Sequence, residues 1–183
     1  MTTKLKLILV AAMCATGFVA LTATATGRDM YVKVDGIEGE STDTNHPIWI
    51  DVLGFSHGVV QTNLVIGVQS RGIFEPFAFK HLVDKATPKL QQACAKGSTI
   101  TQVQLEVCRM VQNKQTVVYK VILDNVKPIG STVSTEELGD GSFRNVEEVR
   151  MLAGKQTWKV VTVKSDGTLG GAVEATFDSI NGY

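Results

Sequence analysis

The segment 54–58, with the sequence GFSHG, matches the G-x-S-x-G pattern that surrounds the nucleophile of many serine hydrolases. In those enzymes the serine lies on a sharp turn between a strand and a helix, and an acid and a histidine follow along the chain. Here residues 59–61 continue as a strand or a loop, and the only histidine beyond the motif is His81. We therefore predict that Ser56 is not a nucleophile and that the chain is not an enzyme.

The candidate metal ligands are three histidines and several carboxylates, among them His46, His57, His81, Glu147 and Glu148. The histidines lack the spacings that are typical of zinc sites. The two glutamates are neighbours on a predicted strand, so they point to opposite faces, and the acids of the 35–43 loop lack EF-hand spacing. We predict no metal and no cofactor, and we expect the histidines to be half-buried or at the surface and the acids to be solvated.

Two cysteines, Cys94 and Cys108, lie beyond residue 25. In an oxidising compartment they could form one disulfide. The period-two pattern of the strand predicted at this point puts Cys108 on the face opposite Val103, Leu105 and Val107, which does not favour the bond by itself. Two alternatives stay open: a Cys94–Cys108 disulfide, or two unpaired thiols.

The first 25 residues have the layout of a secretory signal peptide. Lys4 and Lys6 precede an apolar run at 7–21, which leads into the cleavage triplet Ala-Thr-Ala at 23–25. A retained anchor is the alternative, but the run is interrupted and is shorter than the roughly 20 apolar residues that a membrane span needs. The sequence predicts cleavage before Thr26, a mature domain at 26–183 without a membrane span, and a secreted or periplasmic location.

Length and charge restrict the possible partners. The 183 residues include 44% apolar side chains, enough for one globular domain with a core. The 18 basic residues are balanced by 18 acidic ones, so the chain has no net positive field to attract a nucleic acid. Nucleic acid is therefore not predicted as a partner.

The remaining sequence predicts short strands separated by turns, with one helix between them. The helix is predicted to begin at Asp84, a good N-cap, and to end at Gly97. Pro128 is predicted to close a strand, and 130–145 to form a polar loop. Many short strands and one helix favour a mainly β fold, a closed or nearly closed antiparallel barrel or sandwich. The predicted strands are 29–34, 48–55, 73–83, 100–111, 116–126, 146–153, 155–164 and 172–177.

Several blocks, taken in order along residues 30–177, resemble the haemolysin-coregulated protein family, Hcp, the tube protein of the type VI secretion system. One such block would be a weak signal, but the ordered set is a strong one. The blocks are 30–41 (MYVKVDGIEGES), 50–59 (IDVLGFSHGV), 81–90 (HLVDKATPKL), 103–107 (VQLEV), 147–160 around Lys155 and Trp158, and 166–173 (DGTLGGAV).

The resemblance implies a small antiparallel β-barrel with one flanking α-helix. It also implies that six copies form a ring, that rings stack into a tube, and that the channel can hold secreted effector proteins. The strand that contains Ser56 would help to form the wall of the channel. A cysteine at position 94 is common in the family, whereas Cys108 is a departure from it.

The excursion at 60–72 would reach a neighbouring ring or subunit. Its apolar cluster is a candidate interface, because a soluble monomer has little reason to expose it. The alternative is that the cluster folds back over its own barrel. The cluster consists of Leu64, Val65, Ile66 and Val68.

The signal peptide is a departure from the family pattern, because the tube proteins ordinarily have none. The match begins at Met30, so either Met30 is the true start or the chain is a Sec-exported relative. Lysines, an apolar core and a cleavage triplet in the correct order favour export. The sequence thus favours a ring-forming structural protein, and the alternative is a Sec-exported Hcp-like binding module without a role in a tube.

Overall fold

A computed structural model describes residues 29–61, 72–137 and 139–181. In this part of the chain the fold consists of nine strands and one helix. The elements, in chain order, are β1 (Asp29–Val34), β2 (Ile50–Ser56), β3 (Val59–Gln61), β4 (Gly72–Phe74), β5 (Phe77–Leu82), α1 (Thr87–Lys96), β6 (Ile100–Val111), β7 (Lys114–Glu137), β8 (Phe143–Val163) and β9 (Leu169–Asp178).

Six strands close into an antiparallel barrel in the order β5-β2-β1-β6-β7-β8, and a pairing between β5 and β8 completes the circle. Strand β8 is long enough for one of its edges to pair with two different strands. Its residues 146–151 pair with β5, and its residues 155–163 pair with β9, which lies outside the closed circle. The predicted mainly β barrel with one flanking helix is confirmed.

The core follows the period-two alternation of the strands. On β5, Phe77 and Phe79 point inward and are almost completely buried, and on β6 the same holds for Val103 and Leu105. Burial of each such side chain stabilises the fold by about 1.5–3 kcal/mol. Strand β6 has the bounds that the sequence predicts, 100–111.

Helix α1 ends where the sequence predicts but begins later. Gly97 has a left-handed conformation with φ +62°, and the Ser98 amide donates to the Ala93 carbonyl at 3.0 Å, which closes the last turn. The predicted start at Asp84 is wrong by three residues. The Asp84 carboxylate accepts a hydrogen bond from the Ala86 amide at 2.9 Å, so it stabilises a turn that precedes the helix.

The hairpin of β7 and β8 corrects two predictions. Strand β7 continues through Pro128 instead of ending there. The pairing of β7 with β6 stops at Val126, so no hydrogen bond to β6 is lost at the proline, and a bulge between Pro128 and Gly130 accommodates its ring. Most of 130–145 is strand rather than loop. Both faces of this stretch are largely exposed, so the apolar alternation that would have revealed a strand is missing.

Within residues 29–61, 72–137 and 139–181, no helix has both the length and the apolar character that a membrane-spanning helix requires.

Candidate functional site

Ser56 lies exposed at the end of β2, and residues 57–58 turn the chain into β3 instead of a helix. The neighbouring His57 is bound to another strand, because its Nε2 atom lies 2.6 Å from the Tyr119 hydroxyl of β7. Burial lowers the pKa of His57. Ser56 also lines a groove between β2 and β5 with Lys80 and Glu148. A role for Ser56 in a channel wall stays a prediction.

The 39–49 loop folds over the outer wall of the barrel. The Gly39 amide donates to the Ile48 carbonyl at 2.8 Å, and the Ser41 amide donates to the Trp49 carbonyl at 2.9 Å. Only glycine fits at position 39, because a Cβ atom there would lie 2.3 Å from the Trp49 carbonyl oxygen. Ile48 has φ +61°, which is a strained conformation for a β-branched residue, and half of its surface is exposed.

His46 joins this loop to the barrel wall and is buried, which corrects the expectation of a half-buried or surface histidine. Its Nδ1 atom lies 2.8 Å from Asp43 of the loop, and its Nε2 atom lies 2.9 Å from Glu106 of β6. The imidazole stacks on the Tyr31 ring with centroids 4.1 Å apart, and Trp49 meets it edge-on. The His46 cluster, as we call these five residues, is a connected polar network outside the main core.

Both carboxylates of the His46 cluster favour their charged forms. Burial opposes ionisation of Asp43, but hydrogen bonds from His46, Gln115 and Asn45 outweigh it and lower the pKa to about 2. Burial also opposes ionisation of Glu106, whose pKa is nevertheless lowered by hydrogen bonds from His46 and Lys120. Burial and the charges of Asp29 and Asp43 raise the pKa of Tyr31, so the ring stays neutral.

Cys108 completes an arrangement that resembles a cysteine–histidine–aspartate triad. Its Sγ atom lies 3.9 Å from the Nε2 atom of His46, and Asp43 holds the other ring nitrogen. The thiol is buried, however, and burial together with the charges of Glu106, Asp43 and Asp29 raises the pKa of Cys108 to about 12. A nucleophilic cysteine needs a lowered pKa and access to substrate. The arrangement is therefore structural.

The two cysteines are free thiols and are not brought together. Helix α1, with Cys94, leads into the Ile100 end of β6, whereas Cys108 lies eight residues further along that strand, opposite Asp29. Eight residues of a strand span about 26 Å, and a disulfide joins Cα atoms less than about 7 Å apart. The possible Cys94–Cys108 disulfide is not present in this fold.

A second buried cluster lies where β5 and β8 close the barrel. His81 and Glu147 are fully buried, with Nε2 and Oε2 2.9 Å apart, and the Ser131 hydroxyl donates to the other carboxylate oxygen at 2.5 Å. Burial would raise the pKa of Glu147, but hydrogen bonds from His81, Ser131 and Thr87 outweigh it and lower the pKa. The expectations that Glu147 is a solvated surface acid and that His81 is at most half-buried are wrong.

An apolar face continues beyond the barrel along β8 and β9. Val160 and Val173 are paired neighbours on these strands and are 43% and 68% exposed. Further along the same face, Trp158 and Phe177 are covered by Phe74 of β4, with ring centroids 6.1 and 5.6 Å away. We call the exposed part, Val160 with Val173 and Ala175, the ribbon face. It is next to the outer edge of β9, which pairs with no other strand among the described residues.

The predicted interface residues of the excursion lie outside the described residues, as do residues 1–28 with the predicted signal peptide. The interface residues are Leu64, Val65, Ile66 and Val68. Both predictions stay predictions.

The barrel, its flanking helix and its long hairpin match known proteins. The family model described as "Type VI secretion system effector, Hcp" matches residues 31–160, which is more than half of the chain. This chain belongs to the Hcp family. Its relative Protein hcp1 of Pseudomonas aeruginosa is 29% identical over 147 residues, which cover 78% of this chain and 89% of that protein.

Solved structures agree with the assignment to Hcp. A structure of a type six secretion system protein has a TM-score of 0.76 at 26% identity and covers 86% of this chain and 99% of that one. A type VI secretion system effector from Yersinia pestis has a TM-score of 0.66 at 29% identity, with 82% and 99% covered. This Hcp chain is thus a structural protein of the type VI secretion tube type, from a family of secreted components that form hexameric rings.

Sequence reasoning missed the two buried histidine clusters in this Hcp chain, although a signal for one of them was present. His81 continues the inward alternation of Phe77 and Phe79, and Glu147 shares its face with Val149 and Met151. A polar residue that continues an apolar alternation is a candidate for a buried pair.

Proposed function

We propose that this chain forms a hexameric ring, that its rings stack into a type VI secretion tube, and that the tube holds effector proteins in its channel. We further propose that the chain is exported to the periplasm or the medium. Family membership supports the ring, and the predicted signal peptide supports the export. The ring is a homo-oligomer, so the partner is a second copy of this chain.

The ribbon face is the observation that carries the ring proposal. A strand with a free edge is normally protected by lysine, proline, a bulge or a covering element. In β9, Glu174 is the only charge between Leu169 and Phe177, the strand contains no proline, and most of its residues are exposed. Its one register shift lies between Leu169 and Ala172, so the pairing of residues 172–178 is regular. A contact with the next subunit would cover this edge and its apolar face, and rotational symmetry would leave no such surface unpaired.

The test is the mass of the purified protein in solution, measured by light scattering after size exclusion. Wild-type protein is expected at about six times the chain mass. Val173→Asp places a charge on the ribbon face and is expected to give smaller species with an unchanged β circular-dichroism spectrum. Ala172→Asp is the matched control, because residue 172 is also exposed but points to the opposite face of β9.

Three results would contradict the proposal in different ways. A wild-type monomer at micromolar concentration would exclude the ring and favour the exported binding module. Hexamers of both variants would leave the ring but remove the ribbon face from its interface. Dissociation of both variants would indicate that the free edge of β9, rather than one of its faces, makes the contact.

A further inference from the structure

We propose that His46 is a doubly protonated imidazolium that fastens the 39–49 loop to the barrel wall, and that loss of one ring proton releases the loop. This inference goes beyond assembly and does not depend on it. It concerns the charge state of one buried side chain and the surface that this side chain holds in place.

The loop side of the contact requires a proton on Nδ1. The Oδ1 atom of Asp43 accepts hydrogen bonds from the backbone amides of Asn45 and His46, both at 2.9 Å, in addition to its contact with the ring. The Oδ2 atom accepts a hydrogen bond from Gln115 of β7 at 3.0 Å. A carboxylate that already accepts these bonds is in its acceptor-only form, so the imidazole must be the donor.

The wall side requires a proton on Nε2 for the same reason. The Oε1 atom of Glu106 lies 3.1 Å from the Lys120 ammonium and accepts a hydrogen bond from Gln104 at 2.7 Å. Its Oε2 atom faces the imidazole. The lysine favours the carboxylate form of Glu106, which cannot donate a proton to the ring. A neutral imidazole has one donor and one lone pair, so it can satisfy only one of the two contacts.

Apart from the two carboxylates, the side chains that contact the His46 ring carry no charge. Tyr31 of β1 stacks on the imidazole and is neutral, Cys108 of β6 is a protonated thiol, and Trp49 of the loop meets the ring edge-on. Asp29 of β1 acts electrostatically on Tyr31 and Cys108 and adds negative charge nearby. The charged side chains in contact with the ring are the carboxylates of Asp43 and Glu106, and the Lys120 ammonium contacts Glu106 rather than the ring.

Deprotonation would leave a nitrogen lone pair facing a carboxylate oxygen at less than 3 Å in a buried site. An unpaired buried polar contact of this kind is costly. Ile48 has φ +61°, which is unfavourable for a β-branched residue and is kept only by the surrounding contacts. This backbone strain favours a change of loop conformation once the contacts of His46 are lost. Loss of a ring proton therefore weakens the surface formed by Ile48 and Trp49, which is then held by the backbone hydrogen bonds to Gly39 and Ser41.

His81 provides an internal comparison. One of its nitrogens lies 2.9 Å from Glu147, whereas the other lies 3.7 Å from Asp84, which is too long for a hydrogen bond. A single ring proton therefore satisfies the hydrogen bond of His81. The two buried histidines have similar burial but different numbers of acceptors within hydrogen-bond distance.

The decisive measurement is the nitrogen-15 NMR signal of the histidine rings in the folded, purified protein at neutral pH. Both ring nitrogens of His46 are expected to be protonated, and His46→Gln identifies their signals by removing them. A single protonated nitrogen at this pH would overturn the proposal. As the pH is raised until one ring proton leaves, amide protection at Ile48 and Trp49, corrected for intrinsic exchange, is expected to fall about tenfold or more.

Two variants keep the test independent of general unfolding. In Glu106→Gln the amide can pair with a neutral imidazole, so loop protection is expected to persist to higher pH than in the wild type. In His46→Gln the side chain satisfies only one carboxylate well, so the loop is expected to exchange rapidly at every pH. Protection at Leu105 in β6 reports on the core and should not change. A Glu106→Gln profile identical to the wild type, or loop protection that survives loss of the His46 proton, would overturn the proposal.

Discussion

His81 of β5 and Glu147 of β8 face each other directly across the pairing that closes the barrel. Both side chains are completely buried, and their nearest polar atoms are 2.9 Å apart. Their strands also bring Phe79 opposite Val149 and Phe77 opposite Met151. One polar pair therefore interrupts an otherwise apolar seam at the point where the sheet becomes a barrel.

Removal of either partner of this pair is expected to destabilise the fold strongly. His81→Ala leaves the Glu147 carboxylate buried without its main donor, and the expected loss is about 3–5 kcal/mol in the free energy of unfolding. Urea denaturation monitored by circular dichroism measures it. The double variant His81→Leu with Glu147→Leu is the control, and it should be much closer to the wild type than the sum of the single variants. Additive losses would contradict a coupled pair.

Much of the fold could be predicted from the sequence because local signals dominate it. The glycine that ends α1 and the alternation of β6 are such signals, and both predictions are confirmed. The path of β7 past Pro128 could not be predicted. A strand tolerates a proline only where the neighbouring strand has ended, and the end of β6 is set by the pairing of the whole sheet rather than by the residues around Pro128. The same reason hid His46, whose burial depends on how its own loop packs against β1 and β6.

Acid is expected to weaken the 39–49 loop through Asp43. The pKa of this carboxyl falls from its ordinary 3.8 to about 2 in the folded state. A lowered folded pKa gives stability that is fully present above the ordinary value and is lost as the pH falls through the folded value. The difference in unfolding free energy between wild type and Asp43→Asn should therefore be constant from about pH 5 to neutral pH, where His46 keeps both ring protons, and shrink towards pH 2. A difference that grows on acidification would contradict this assignment.

Cys94 and Cys108 are expected to be free thiols, because they are unpaired in the structure. Thiol titration of unfolded, unreduced protein should detect two free thiols. Detection of no free thiol would show that Cys94 and Cys108 have formed a disulfide. In the folded state Cys94 should react with an alkylating reagent first. Burial and the raised pKa of Cys108 should delay its reaction until the protein unfolds. Cys108→Ser should remove the slow phase alone.

The predicted signal peptide makes the N-terminus a direct test of the export route. Protein recovered from the envelope or the medium is expected to begin at Thr26, because the cleavage triplet ends at Ala25. N-terminal sequencing measures this. A chain that begins at Met30 would support the later start, and an intact Met1 on folded protein would contradict cleavage. A variant with Ala23 and Ala25 replaced by leucine should accumulate uncleaved.

Ile66→Asp tests the excursion, whose apolar residues are predicted to contact a neighbouring subunit or ring. A charge placed in an apolar interface is costly to desolvate, so the variant is expected to lose subunit or ring contacts. Its monomer should retain the β circular-dichroism spectrum, because the described residues already form a closed barrel with a buried core. Gln69→Asp is the matched control, since it adds the same charge next to the apolar cluster without replacing one of its residues. Light scattering gives the size of the ring, and electron microscopy of negatively stained particles shows whether rings still stack. If Ile66→Asp unfolds outright while Gln69→Asp does not, the cluster covers its own barrel, and the excursion is part of the monomer rather than of the assembly.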